Sequence, residues 1–130
     1  MIVATHAAIG AAVGTLFKSK GGAFLAGIVS HAPADLLPHQ EYCLWKEVAL
    51  LGMVLGYIGA RHGPGSPCFW GALGAAAPDL ENGLAELGLL KERHKVFPTH
   101  HKPWHGRETE ETLSQALIVM LCLYLAWRRA

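Results

Sequence analysis

Histidine and aspartate recur at four-residue intervals in SHAPADLLPHQEY, residues 30–42, inside an otherwise apolar part of the chain. In a helix, residues i and i+4 lie on one face, so His31 and Asp35 are predicted to meet at a common point. Imidazole and carboxylate groups are ligands that divalent zinc, manganese or iron accepts. Pro38 interrupts the helical pattern before His39, so we rank His39 below the other two.

Other ionisable residues also lie in apolar surroundings, where they are costly unless paired, hydrogen-bonded or bound to a metal. His6 lies in the first apolar block, Asp79 and Glu81 follow Pro78, and the segment FPTHHKPWHG adds three histidines. The chain has only two aspartates, and both stand in apolar surroundings near a proline and near histidines. The predicted metal ligands are therefore His6, His31, Asp35, Asp79, His100, His101 and His105.

Each of these residues also has a plainer interpretation. A histidine such as His6 can satisfy its ring nitrogens on a carbonyl or hydroxyl group in the core. Asp35 and Asp79 each follow a proline by one or two residues and could cap a helix turn. The histidines of the segment at 100–105 could be solvated. The conjunction of these residues, rather than any one of them, predicts a metal site.

The elements that must position these side chains are helices. Glycine and proline divide the chain into five apolar blocks, each long enough for a helix, and alternation typical of strands is absent. We predict a single all-α domain over residues 1–130, a bundle of four to five short, mostly apolar helices. Pro33 and Pro78 are expected to kink or end their helices and so to leave a carboxylate at a break. The predicted blocks are 2–17, 23–37, 44–60, 69–90 and 113–127.

The composition favours a membrane or a very buried helical core. Hydrophobic residues make up 52% of the chain and charged residues only 16%, against about 25% in ordinary soluble domains. On this composition the bundle is predicted to be membrane-embedded or membrane-associated, with a soluble cytoplasmic protein as the alternative. The blocks fall at or below the roughly 17–25 residues that span a bilayer, so their length permits membrane insertion but does not require it. A net charge of +1 argues against a nucleic-acid partner. Three cysteines without CxxC spacing fit a reducing compartment.

Four short segments resemble the signatures of the YdjM-like, membrane-bound, metal-dependent hydrolases, one branch of which is described as LexA-binding inner-membrane proteins. They are THAAIG (5–10), SHAPADLLPH (30–39), GAAAPDLEN (74–82) and HHKPWHG (100–106), about a third of the chain. In this chain the Ser-His-x-x-x-Asp segment precedes the Pro-Asp segment, whereas it comes late in the family. Glu81 replaces the second aspartate of the family's Pro-Asp-x-Asp pattern.

The resemblance implies an inner-membrane or membrane-associated hydrolase that uses a divalent metal, with zinc favoured and manganese or iron possible. A more distant likeness to the all-α zinc-dependent phospholipases C suggests a phosphoester or related ester as substrate. The metal would lower the pKa of a bound water and present it as hydroxide. Glu81 is the predicted general base, because it stands beside Asp79 and has no evident helix-capping role.

Two alternatives remain open from the sequence. The same ligands could hold a structural metal, or facing histidines could bind haem in a non-enzymatic membrane module. The protein could also be a structural helical bundle whose polar residues only satisfy one another in the core.

Overall fold

A computed structural model of the chain describes residues 1–40, 42–97 and 112–129. Within these ranges the chain forms five α-helices and one short 3-10 turn, and no residue belongs to a β-strand. The prediction of an all-α bundle is thereby confirmed. The elements are α1 (Val3–Gly14), α2 (Lys20–Asp35), α3 (Leu44–His62), α4 (Pro67–Glu86), the 3-10 turn (Glu92–His94) and α5 (Leu113–Arg128).

Several helices begin and end where the sequence supplies the appropriate residue. The Ser66 hydroxyl accepts the N–H of Phe69 at 3.1 Å, and Pro67 occupies the first turn of α4, where its missing N–H costs nothing. Ser19 caps α2 in the same way. Gly63 ends α3 with a φ of 81°, a backbone conformation that glycine adopts without strain.

Of the two outcomes predicted for Pro78, a kink or an end of the helix, the structure excludes the end. The helix continues through Pro78 to Glu86, and α2 likewise contains Pro33 and ends two residues later, at Asp35. Proline removes one backbone hydrogen bond, but α4 packs against both α1 and α2, and this packing offsets the loss. Asp79 therefore lies in a continuous helix, which fixes the direction of its side chain relative to its neighbours.

Glycines let α1, α2 and α4 pack closely at the centre of the bundle. A Cβ atom on Gly10 or Gly27 would lie against the backbone oxygen of Gly71, and one on Gly74 would lie against the backbone oxygen of Phe24. Such a clash involves backbone atoms, which no side-chain rotation can relieve. The glycines therefore set how closely α4 approaches the two helices that carry His6 and His31.

Large apolar side chains are exposed on the outer helices. On α5 they include Leu113, Leu117, Met120, Leu121, Tyr124 and Trp127, and on α3 they include Trp45, Val48 and Met53. Within the described part of the chain, no helix has the length and apolarity needed to cross a membrane.

Candidate metal centre

Three helices bring two imidazoles and two carboxylates together near the buried start of α1. His6 comes from α1, His31 and Asp35 from the last turns of α2, and Asp79 from α4. The side chains of His6, His31 and Asp35 are at most 1% exposed, and that of Asp79 is 14% exposed. One side of the cluster is thus closed by protein, and Asp79 lies on the side that is less buried.

His31 has a hydrogen-bond acceptor on each side of its ring. Its Nδ1 lies 2.8 Å from the backbone oxygen of Ala75, and since a carbonyl oxygen only accepts, Nδ1 must carry a proton. Its Nε2 lies 3.2 Å from Asp35 Oδ2 and 3.8 Å from Asp79 Oδ1. A second proton or a metal ion at Nε2 would satisfy these two carboxylates. The Ala75 contact is the kind of outer hydrogen bond that orients metal-binding histidines through their other nitrogen.

Asp35 connects the two histidines. Its Oδ1 accepts from His6 Nε2 at 3.0 Å and from the Met1 amino group at 3.2 Å, while Oδ2 faces His31. Burial alone would raise the pKa of this carboxyl, but hydrogen bonds from His31 and His6 outweigh it, and the net pKa is well below the usual range. Asp35 is therefore a buried anion at neutral pH.

The two imidazoles stack, and their pKa values shift in opposite directions. The ring centroids of His6 and His31 lie 3.8 Å apart with an angle of 19° between the planes. Burial lowers the pKa of His6, and the hydrogen bond to Asp35 only partly compensates. For His31 burial also disfavours the charged form, but the hydrogen bond to Asp35 and the charge of Asp79 outweigh it, so that its pKa is raised. These opposite shifts of pKa favour one neutral and one protonated ring over two stacked cations.

A divalent ion could be held by His6, His31 and Asp79. One ligand atom from each of these three residues lies within 4.8 Å of the others. The separations involving Nε2 of either histidine and the carboxylates of Asp35 and Asp79 range from 3.0 to 3.9 Å. Ligand atoms about 2.0–2.1 Å from a tetrahedral zinc ion are separated by about 3.3 Å, so the cluster is close to the dimensions of such a site.

The remaining predicted site residues are not part of this cluster in the described structure. The Glu81 carboxylate accepts the backbone N–H groups of Val96 and Phe97, the latter at 2.9 Å, and so holds the segment after the 3-10 turn. His39 is buried, but its Nδ1 donates to the Leu37 carbonyl at 2.6 Å. The predicted ligands His100, His101 and His105 lie outside the described residues.

Two polar side chains that the sequence did not single out position the start of α1. Glu47 of α3 accepts the N–H of Val3 at 2.8 Å and that of Tyr42 at 3.0 Å, and thereby caps a helix that has no side-chain cap of its own. Gln115 of α5 accepts the N–H of Ile2 at 3.0 Å. The sequence does show Glu47 and Gln115 as polar residues within apolar helices. It does not show which backbone groups their side chains bind.

A cavity of about 260 Å³ lies beside the cluster, between α3 and α4. Met1 and Val3 contribute to its wall, and so does Asp79, which belongs to the candidate ligand set as well. A molecule in the cavity would therefore reach the cluster through Asp79.

Comparisons of the chain with protein-family models, with curated proteins and with solved structures find no match. The fold and the cluster therefore define the protein as an all-α bundle with a buried histidine and aspartate site that could hold a metal ion.

Proposed function

We propose that the protein is a metal-dependent hydrolase. The observation that carries this proposal is the shared position of Asp79, which belongs to the candidate ligand group and also lines the neighbouring cavity. A purely structural metal site is closed by protein ligands, whereas a catalytic site keeps one position open to water or substrate. The less buried side of the cluster, at Asp79, supplies such a position.

The residues have separate roles in this proposal. His6 and His31 would bind the ion through Nε2, with the Ala75 carbonyl fixing the ring of His31 through Nδ1. The two carboxylates of Asp35 and Asp79 would balance the charge of a divalent ion, which makes its burial feasible. An ion held there would lower the pKa of a bound water toward neutrality and so supply the hydroxide that ester hydrolysis requires.

The geometry gives less support to the haem alternative. Axial haem ligands approach the iron from opposite faces of the ring system, whereas His6 and His31 stack directly on each other at 3.8 Å. The competing proposal is a structural protein in which these polar residues form a hydrogen-bonded network in the core without a metal ion. The protonated form of His31 would then take the place of the ion between the carboxylates of Asp35 and Asp79.

Metal analysis of the purified full-length chain tests the proposal. After equilibration with zinc or manganese and removal of free ion, we expect about one ion per chain. His31→Ala and Asp79→Ala should lose it, and His62→Ala, which removes a histidine outside the cluster, should retain it. Full occupancy in the wild type together with hydrolysis of ester substrates supports the proposal. No bound metal at micromolar ion concentrations would leave the hydrogen-bonded network as the function of the cluster.

Membrane association and kinship with the YdjM-like hydrolases are part of the same proposal. Support for association comes from the exposed apolar side chains of α5 and from the Arg61 guanidinium, which lies 4.9 Å from the Trp127 ring at the end of that helix. Flotation with phospholipid vesicles tests it. Protein that stays at the bottom of the gradient at moderate salt would contradict it.

A further inference from the structure

The cavity beside the cluster has an apolar wall over most of its extent. It lies between α3 and α4, and side chains from both helices form that wall. The apolar residues include Val3, Leu44, Val48, Leu51, Leu84 and Leu87. Such a wall binds aliphatic groups by removing their surface from water, and each buried methylene favours binding by about fourfold. A volume of about 260 Å³ is at the lower limit of typical ligand sites, which suits a short or medium chain.

The charged side chains of this wall are all acidic. Glu47, Asp79 and Glu86 contribute to it, and no lysine, arginine or histidine is among its described residues. Besides a metal ion, which polarises phosphoesters and carboxylic esters alike, sites for phosphate groups use arginine, lysine or free N–H groups at a helix start. The Met1 ammonium is already bound by Asp35. The described wall thus contains no basic side chain that could bind an anion.

The backbone around the cavity also disfavours an anion. At the start of α1, the N–H groups of Ile2 and Val3 are already donated to Gln115 and Glu47. The end of α4 that lines the cavity is its carboxyl end, where the helix dipole is negative. The side-chain charges and the backbone dipole thus act in the same direction.

From this wall we infer that the cavity takes an uncharged aliphatic acyl chain, so that the substrate is a neutral carboxylic ester of a short or medium chain and not a phosphoester. The inference rests on the proposed hydrolase function. The reacting carbonyl lies at Asp79, next to the candidate ligands, and the chain extends between α3 and α4. The hydroxide oxygen bonds to the acyl carbon, the ester C–O bond breaks, and the hydroxide proton passes to the leaving alkoxide, so that the products are a carboxylate and an alcohol.

A panel of chromogenic substrates tests the substrate class on the metal-loaded protein. The panel consists of p-nitrophenyl acetate, butyrate, hexanoate and octanoate, with p-nitrophenyl phosphate and bis(p-nitrophenyl) phosphate. We expect kcat/KM to rise about fourfold per added methylene until the cavity is filled. The phosphoesters should be at least 100-fold poorer than butyrate. A flat chain-length profile, or phosphoesters hydrolysed better than carboxylic esters, would overturn the inference while leaving a hydrolase.

Two variants on α3 separate the cavity from the rest of the apolar surface. Val48→Trp places an indole into the cavity and should reduce the preference for octanoate over acetate at least tenfold. Met53→Trp makes the same kind of change at an exposed position that does not line the cavity, and it should leave the profile unchanged. Equal effects of the two variants would show that the chain binds elsewhere.

Binding without turnover distinguishes failure of the inference from failure of the proposed function. If no substrate is hydrolysed although metal is bound, the hydrolase proposal fails, and calorimetric titration with 2-decanone and with decyl phosphate decides the ligand class. Binding of 2-decanone that is at least tenfold tighter than that of decyl phosphate, and that Val48→Trp weakens, supports an uncharged chain. Tighter binding of decyl phosphate, or binding of neither ligand, overturns the inference.

Discussion

The substitution Gly27→Ala tests whether the close approach of α2 and α4 holds the candidate metal centre together. An alanine Cβ at this position would lie against the Gly71 carbonyl oxygen and 2.8 Å from the Ala75 backbone nitrogen. Ordinary contacts of a carbon atom are about 3.5 Å or longer, so the two helices must part by about 1 Å. Overpacking of this kind costs about 1–3 kcal/mol, and the upper end applies because both clashing groups are backbone.

The helix propensity of alanine offsets part of this cost, by about 1 kcal/mol. The net expectation is therefore a loss of about 2 kcal/mol in the free energy of unfolding, which lowers the urea midpoint by about 1 M for a typical denaturant dependence. Gly52→Ala is the matched control, since its Cβ meets nothing within 4 Å on an exposed face in the interior of α3. That substitution should stabilise the protein by about 0.5–1 kcal/mol.

The same displacement should weaken metal binding. His31 follows Gly27 by one helical turn, and its hydrogen bond to the Ala75 carbonyl and its 3.8 Å approach to Asp79 both cross from α2 to α4. Parting the helices by about 1 Å should reduce the affinity for zinc at least tenfold, the usual cost of disturbing an outer hydrogen bond. If Gly27→Ala is as stable as the wild type, or if Gly52→Ala destabilises to the same extent, the helices do not approach as closely as the structure shows.

Four further predictions concern single side chains. Asp35→Ala should lower the free energy of unfolding by about 3–5 kcal/mol in a urea titration and release the metal, because it removes the anion between two buried histidines. Glu81→Gln should retain the metal and lose less than tenfold in turnover, because Glu81 binds backbone N–H groups; a loss of 10²–10⁴-fold would identify it as the base. Timed alkylation at pH 8 followed by mass spectrometry should label the exposed Cys43 at least 100-fold faster than the buried Cys68, because burial raises the pKa of the Cys68 thiol to about 11. Because the pKa of His31 is raised from 6.5, the free energy of unfolding of the metal-free protein should fall as the pH rises above 6.5. The stability added by metal should grow over the same range, because the ion and the proton compete for the same nitrogen. Urea titrations at pH 6.5, 7.5 and 8.5, with and without metal, measure both quantities.

The helices could be predicted from the sequence because their boundaries depend on local chemistry. The serine before Pro67 and the glycine after His62 mark the ends of helices by capping and by a positive φ, and both effects act over a few residues. The same local grounds predicted a kink or an end at Pro78. The helix does not end there, because it packs on α1 and α2, and this packing is not visible in a local pattern. Local rules thus fail where tertiary packing compensates a local defect.

The candidate site could be predicted only where it depends on local helix geometry. The pairing of His31 with Asp35 follows from helix geometry, because residues four apart share a face. Glu81 was predicted as the general base because it stands beside Asp79 in the sequence and has no evident helix-capping role. In a continuous helix, residues two apart point about 200° away from each other, so that Asp79 faces the histidines and Glu81 faces the segment at Val96. The approach of His6 depends on how three helices pack, which no single segment specifies.

The surroundings of His31 make a positive charge at Nε2 a requirement of this arrangement. The Ala75 carbonyl fixes one proton on Nδ1, and two carboxylates, Asp35 and Asp79, face Nε2 at 3.2 and 3.8 Å. A neutral ring in that orientation would direct its lone pair at two anions, which costs free energy in a buried site. A second proton relieves this repulsion in the hydrogen-bonded network, and a divalent ion relieves it in the metal centre. The two states compete for the same nitrogen, so raising the pH removes the proton and favours the ion. The metal-free stability falls as the pH rises and the stability added by metal grows, and this opposition distinguishes a metal centre from a polar core without any knowledge of the substrate.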